Sequence, residues 1–156
     1  MIHYWEEKNF RDLKKTEKFI DLLPIAKSII NRMSKPVAMV SGPISTGGLG
    51  FPEKNLKQFI RAIKVLYDSG VNVFDQTPFD DKMSEIKNNI WNKDEYCMPL
   101  LEDFYLPLFR GGYIQEVFFL SDWQSSFGAK WEHDQCKIFK IKIHNFPVKL
   151  IKQITE

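Results

Sequence analysis

Apolar residues return at helical spacing between Asn9 and Met33, where Phe10, Leu13, Phe19, Ile20, Leu23, Ile25, Ile29 and Ile30 carry the repeat. Pro24 removes an amide donor in the middle of it, so the pattern predicts two short helices parted at that proline. Pro36 to Ser41 is a short apolar run closing on Gly42-Pro43, which reads as a buried first strand feeding a glycine-bearing loop that extends to Gly50. Leu56, Phe59, Ile60, Ile63 and Leu66 then fall at i, i+3, i+4, i+7 and i+10, with Lys57, Arg61 and Lys64 opposite. That is an amphipathic helix, with Gly70 placed to end it. Val71 to Asp75 reads as a second strand.

Gln76 to Asp94 is polar, contains Pro78 and an isolated Trp91, and shows no sustained period. It reads as a long loop with one helical turn, of the kind that serves as a lid in small domains. Tyr96 to Phe109 regains helical character until Arg110-Gly111-Gly112 stops it, and Ile114 to Leu120 is the strongest strand signal in the chain. A polar loop with Trp123 follows from Ser121 to Phe127. Gly128 to Phe139 reads as a helix, Lys140 to His144 alternates as an edge strand, and Val148 to Thr155 closes the chain as a helix. Strand and helix alternate, which predicts a parallel sheet with helices on both faces and ligands beyond the carboxyl ends of the strands.

Composition narrows the chemistry. The 156 residues, 44% hydrophobic and 27% charged, suit one globular core. A balance of 22 basic against 20 acidic side chains is too even to predict a stable complex with nucleic acid or attachment to an anionic membrane. Cys97 and Cys136 are far apart with no Cys-x-x-Cys pattern, so inert core thiols in a reducing compartment are expected rather than disulfides or zinc. Glu132-His133-Asp134 does not read as a metal site, because neighbours on a helix point about 100° apart. His133 is expected at the surface, with no metal and no cofactor. The mixed, acidic N-terminus lacks the pattern of a signal peptide and no apolar run would span a bilayer, so a cytoplasmic protein is expected.

The two loops placed to meet a ligand are Gly42 to Gly50 and Ser121 to Phe127. In the first, Gly42, Gly47 and Gly48 let backbone amides approach an anion, with hydroxyls on Ser45 and Thr46, though neither a P-loop ending nor a dinucleotide fingerprint is present. In the second, Ser126 stands as an N-cap whose helix offers the free amides of its first turn. Glu132 falls three after Ala129 and four before Cys136, on a small, apolar stripe. A carboxylate there is explained either by a buried ion pair or by a nucleophile or general base in a pocket. Asp103 lies between Leu100 and Leu106 on a face read as apolar and is the candidate partner of Glu132.

Val40-Ser41-Gly42-Pro43-Ile44 closing the first strand, and Trp123-Gln124-Ser125-Ser126-Phe127-Gly128-Ala129-Lys130-Trp131-Glu132 opening the later helix, resemble the nucleoside 2-deoxyribosyltransferase-like superfamily. The likeness is to its nucleotide N-hydrolases and to an uncharacterised phage- and bacterium-associated branch, over roughly Pro36 to His144. It implies that Glu132 attacks C1′ of the sugar, a reaction a carboxylate supports through an oxocarbenium-like transition state, with the helix N-terminus helping to keep it ionised. It implies that Asp103 holds or protonates the substrate. It also implies a substrate-binding set of Ser41, Gly42, Pro43, Ile44, Thr46, Gly47, Gly48, Asp75, Trp123, Ser126 and Gly128. Met39 stands where the transferases place a tyrosine, which favours hydrolysis over transfer.

The expected architecture is α/β, a Rossmann-like (flavodoxin-like) three-layer sandwich with four to five mainly parallel strands over residues 36–156, preceded by a helical extension over 1–35. The expected activity is cleavage of the N-glycosidic bond of a (deoxy)nucleoside or its 5′-monophosphate, by hydrolysis or by transfer to another base. A catalytically inactive nucleotide-binding or sensor module of the same fold is the alternative. The resemblance further implies a homodimer or higher homo-oligomer, since related sites borrow residues from a neighbour.

Overall fold

The computed structural model describes residues 3–45 and 47–155, with the side chains of Val148 and Thr155 outside the description. The chain divides into two compact units, Met1–Ser34 with Phe74–Tyr113, and Lys35–Val73 with Ile114–Glu156. The segment Phe74–Tyr113 therefore groups with the N-terminal helices.

The first unit is helical. Helices α1 (Glu7–Lys14) and α2 (Phe19–Asn31) are the two expected, but the break falls at Lys15–Lys18 and Pro24 sits inside α2. The punctuation is supplied by polar side chains: Thr16 donates to the Leu13 carbonyl, and the Asp21 carboxylate accepts from the amides of Glu17 and Lys18. Pro24 lies close enough to the start of α2 that only the Ile20 carbonyl loses its helical donor.

The long loop expected from Gln76 to Asp94 is instead mostly helix, a 3₁₀ turn at Thr77–Phe79 running into α4 (Asp80–Ile90). Phe79, Met83 and Ile86 are buried at i, i+4 and i+7, a narrow stripe that supplies the driving force the polar composition concealed. The remaining helical segment comprises α5 (Met98–Leu100), a π-helical stretch Leu101–Tyr105 and α6 (Leu106–Arg110), stopped by Gly111-Gly112 as expected. An aromatic cluster fills this unit: Trp5 lies 4.8 Å from Phe79, and Phe79 lies 5.1 Å from Phe104.

The second unit holds a parallel sheet of three strands in the order β1 (Ala38–Ser41), β2 (Glu116–Phe119), β3 (Lys142–Asn145). Register pairs Ser41 with Phe119 and Phe119 with Asn145. All four residues of β1 are buried, as a parallel strand covered on both faces requires, whereas β3 exposes Lys142 and Asn145 at the edge, where polar side chains discourage further pairing. The second strand expected at Val71–Asp75 shrinks to one parallel bridge, Val73 to Ala38, on the side of β1 away from β2.

Between β1 and that bridge runs α3 (Pro52–Asp68), and Gly70 follows its end at φ +92°. Phe59, Ala62, Ile63 and Leu66 of α3 pack with Ala38, Val40, Phe118 and Leu120 from one face of the sheet, and with Phe146 and Ile154, the latter from α8 (Val148–Thr155). The opposite face presents Ser41 and Phe119 toward α7 (Phe127–Phe139), since alternate residues of a strand face opposite ways. The unit is thus α/β with a small parallel sheet.

Candidate functional site

The chain leaves β1 through α3 toward Val73 on one side and returns as β2 on the other, so the strand order reverses at β1 and β2. Ligands of open parallel sheets bind in the crevice beyond the strand ends at such a reversal. Ser41 ends β1 there, and the two loops singled out in the sequence begin there.

Those loops dock on each other. The Gly48 amide donates to Ser125 Oγ at 2.7 Å, while Ser125 Oγ donates to the Asp122 carbonyl. Gly47 has φ +72°, and a Cβ at that position would run into the carbonyl of Ser125. Glycine is therefore required there twice, by conformation and by the approach of the second loop. Gly42 is needed for space alone, since a Cβ would stand 2.7 Å from Leu120 Cδ1.

Asn55, buried in the first turns of α3, holds the loop from beneath. Its Oδ1 accepts from Leu49 N at 2.9 Å, and its Nδ2 donates to the carbonyls of Ile44 and Gly47, each at 3.1 Å. Its signal in the sequence is a polar residue four before Phe59 on the buried stripe. Asn55→Ala leaves that amide and those two carbonyls without their partner. It is expected to cost about 2–3 kcal/mol of stability, read as a lowered urea midpoint; an unchanged midpoint would show that the loop holds itself.

These bonds change the expected anion cradle. The amides of Gly48, Leu49 and Gly50 are occupied by Ser125, Asn55 and the Gly47 carbonyl. Pro43 is buried, Ile44 packs against the core on the α3 side, and Thr46 lies outside the described residues. Ser126 is the expected N-cap of α7, its Oγ accepting from Ala129 N at 3.2 Å, so that lone pair is engaged as well. Gly128 is buried in the first turn of the helix, where backbone amides have no helical acceptor.

Glu132 is buried on the next turns of α7, with 8% of its surface exposed, and Ser41 is buried at 2%. No ion pair neutralises the carboxyl among the described residues, and neither Glu132 Oε2 nor Ser41 Oγ completes a hydrogen bond. Burial pushes the Glu132 carboxyl up to about 8, and the Ser41 hydroxyl facing it pulls the other way. The residue stands in the second turn, beyond the reach of the helix terminus, so it is mainly protonated at neutral pH rather than held ionised. Of the two sequence explanations for an inward carboxylate, the ion pair is not what the structure contains.

Two further candidates belong to the first unit. Asp103 is exposed and belongs to the first unit, where Leu101, Phe104, Tyr105, Leu108 and Phe109 are the buried face. The Leu100–Asp103–Leu106 stripe is therefore not the apolar one. Asp75, also in the first unit, is buried with its carboxyl raised by desolvation, and its Oδ1 accepts from the amide and hydroxyl of Thr77, which shapes the turn into α4.

Trp123 does sit with the site's helix, but its ring stacks on His133 with centroids 4.2 Å apart and planes 7° from parallel. His133, expected at the surface, is half-buried between that ring and the edge of Phe119, and burial with Lys137 nearby holds its pKa below the ordinary value. Cys136, near Glu132, is pushed up to about 12 chiefly by burial, so it carries no thiolate at neutral pH.

Among the described residues no three His, Cys, Asp or Glu side chains come together to hold a metal, and no helix is long and apolar enough to cross a membrane. No protein-family model, curated protein or solved structure matches the chain.

Proposed function

We propose that the second unit cleaves the N-glycosidic bond of a (deoxy)nucleoside or its 5′-monophosphate, with Glu132 as the nucleophile. The observation that carries this reading is the buried Glu132 carboxyl, its Oε2 left without a hydrogen bond, facing the Ser41 hydroxyl where the strand order reverses. A carboxylate deprived of partners gains most from positive charge developing beside it, and an oxocarbenium-like sugar supplies such charge. Attack forms a bond between a Glu132 oxygen and C1′ as the bond to the base nitrogen breaks. Water then resolves the ester, returning the carboxyl and releasing the sugar.

In this reading the Ser41 hydroxyl orients the carboxyl or a sugar oxygen, and the Gly128 amide takes the anionic end of a monophosphate. Gly48 and Ser126 shape the crevice through the bonds they already make. Asp103, exposed in the first unit, is proposed as the donor that protonates the leaving base. The single bridge at Val73 is read as the remnant of a fourth parallel strand, giving the flavodoxin-like order Val73, β1, β2, β3. A homodimer belongs to the same proposal, as does a cytoplasmic location.

The test is release of free base from ribo- and deoxyribonucleosides and their 5′-monophosphates, with and without an acceptor base, followed chromatographically for wild type and Glu132→Ala. Release by wild type alone supports the reading. The deep burial of Glu132, which raises its carboxyl toward the neutral form, favours a second reading, a nucleotide-binding module without turnover. Ligand binding by both proteins with no base released by either would establish it.

A further inference from the structure

We propose that a groove bordered by α3, α8 and Leu49 binds a small organic anion carrying two or more phosphate groups. Lys54, Lys57, Gln58 and Arg61 fall at i, i+3, i+4 and i+7, one face of α3, and with Leu49 and Ile154 they line a cavity of ≈ 200 Å³. Among the described residues no carboxylate lines it, and none of the three cations has an ion-pair partner. The same helix does pair a lysine where only solvation is at stake: Lys64 meets Asp68 at 2.6 Å.

Like charges three and four residues apart on a helix repel, so this triplet opposes the stability of α3. Nor does folding need it, because the core stripe of α3 is Phe59, Ala62, Ile63 and Leu66. An anion seated among the three would relieve the repulsion and satisfy their donors, with Gln58 offering an uncharged amide beside them. From Lys54 to Arg61 the helix rises about 10 Å, room for two linked phosphates with an organic group at one end.

The apolar part has a surface to meet. Leu49 and Phe51 are half exposed, and Lys54 Nζ lies 5.0 Å from the centroid of the Phe51 ring. The cations form one wall of a single cavity of ≈ 200 Å³ closed opposite by Leu49 and Ile154, which favours a small ligand over a nucleic-acid backbone. This site is separate from the Glu132 crevice and does not depend on the catalytic reading.

The experiment is a titration of the full chain, followed by backbone amide resonances, with adenosine 5′-diphosphate as the probe and inorganic pyrophosphate and a short oligothymidylate as comparison ligands. Saturable shifts are expected at Leu49, across Lys54 to Arg61 and at Ile154. Affinity should fall at least about tenfold in Lys57→Gln/Arg61→Gln, through loss of two charge-assisted contacts, and stay unchanged in Lys142→Gln, which removes an exposed charge outside the groove. Amide positions elsewhere in the spectrum check that the double variant stays folded. Absence of shifts in the groove, or equal affinity in the double variant, would overturn the proposal. Binding by pyrophosphate as tight as by the diphosphate ester would overturn its organic part, and tighter binding by oligothymidylate would replace it with a nucleic-acid surface.

Discussion

Glu132→Gln is expected to make the protein more resistant to unfolding than wild type at pH 8.5, and equally resistant near pH 4. In the unfolded chain the Glu132 carboxyl titrates near its ordinary value of 4.5, whereas in the fold burial raises it to about 8. Below pH 4.5 both states hold the proton and the residue is neutral throughout. Between 4.5 and 8 the unfolded state loses its proton while the folded state keeps it, so stability declines as pH rises. Each unit of that interval costs about 1.4 kcal/mol, giving roughly 3 kcal/mol by pH 7 and about 5 kcal/mol above pH 8.

Glutamine has nearly the same shape and does not titrate, so the variant lacks this decline. Asp75 and Asp80 are also raised by burial and add a slope of the same sign, but they are present in both proteins and cancel in the difference. Cys136, whose thiol feels the Glu132 charge, titrates too high to enter this range. Urea unfolding at pH 4, 6, 7 and 8.5 measures the effect. A difference between the two proteins that stays constant with pH would mean that the folded carboxyl is ionised, and so has a countercharge that the structure does not contain.

What the sequence made legible was whatever one surface decides. The period of α3 and the N-cap and apolar stripe of α7 report burial against one neighbouring layer, the unbroken apolar run of β2 reports burial on both faces, and each appears at its expected place. Elements decided by a few contacts were hidden. Helix α4 is driven by Phe79, Met83 and Ile86 among polar neighbours, so its stripe is too thin to outweigh Pro78 and the surrounding charge. The Val71–Asp75 run has strand-like residues, yet only Val73 bridges to β1 before the chain enters the other unit, and that departure has no local signal.

The candidate site divides the same way. Glu132 was visible because a carboxylate on an apolar stripe conflicts with its own solvation, a conflict that sequence alone displays. Asn55 left only a faint mark, a polar residue on the buried stripe of α3, and Ser125 none, because its work is to accept the Gly48 amide of a distant loop. The face assigned to Asp103 illustrates the reverse error. Its apolar neighbours at three-residue spacing are only half buried, while the core side of the segment is set by Leu101, Phe104, Tyr105, Leu108 and Phe109. A helix with apolar residues all round offers more than one stripe, and packing selects among them.

Base release, if Glu132 is the nucleophile, is expected to rise with pH and level off above about 8, where the carboxyl has given up its proton. Only the ionised form has a lone pair free to attack C1′, so each unit below that value should lower the rate about tenfold. Glu132→Ala should lose at least about a thousandfold at every pH, since the carboxyl that forms the glycosyl ester is gone, while nucleotide affinity persists. Ser41→Ala should keep the chemistry but move the limb upward, because the hydroxyl is the group that lowers the carboxyl against the effect of burial. The direction of the limb separates two chemistries that the fold alone does not: a rate that falls through the same pH would make Glu132 the acid that protonates the leaving base, with water or another group attacking the sugar. The Ser41 variant separates both from a carboxyl that is merely buried, since a structural residue would change stability and leave the shape of the rate profile where it was.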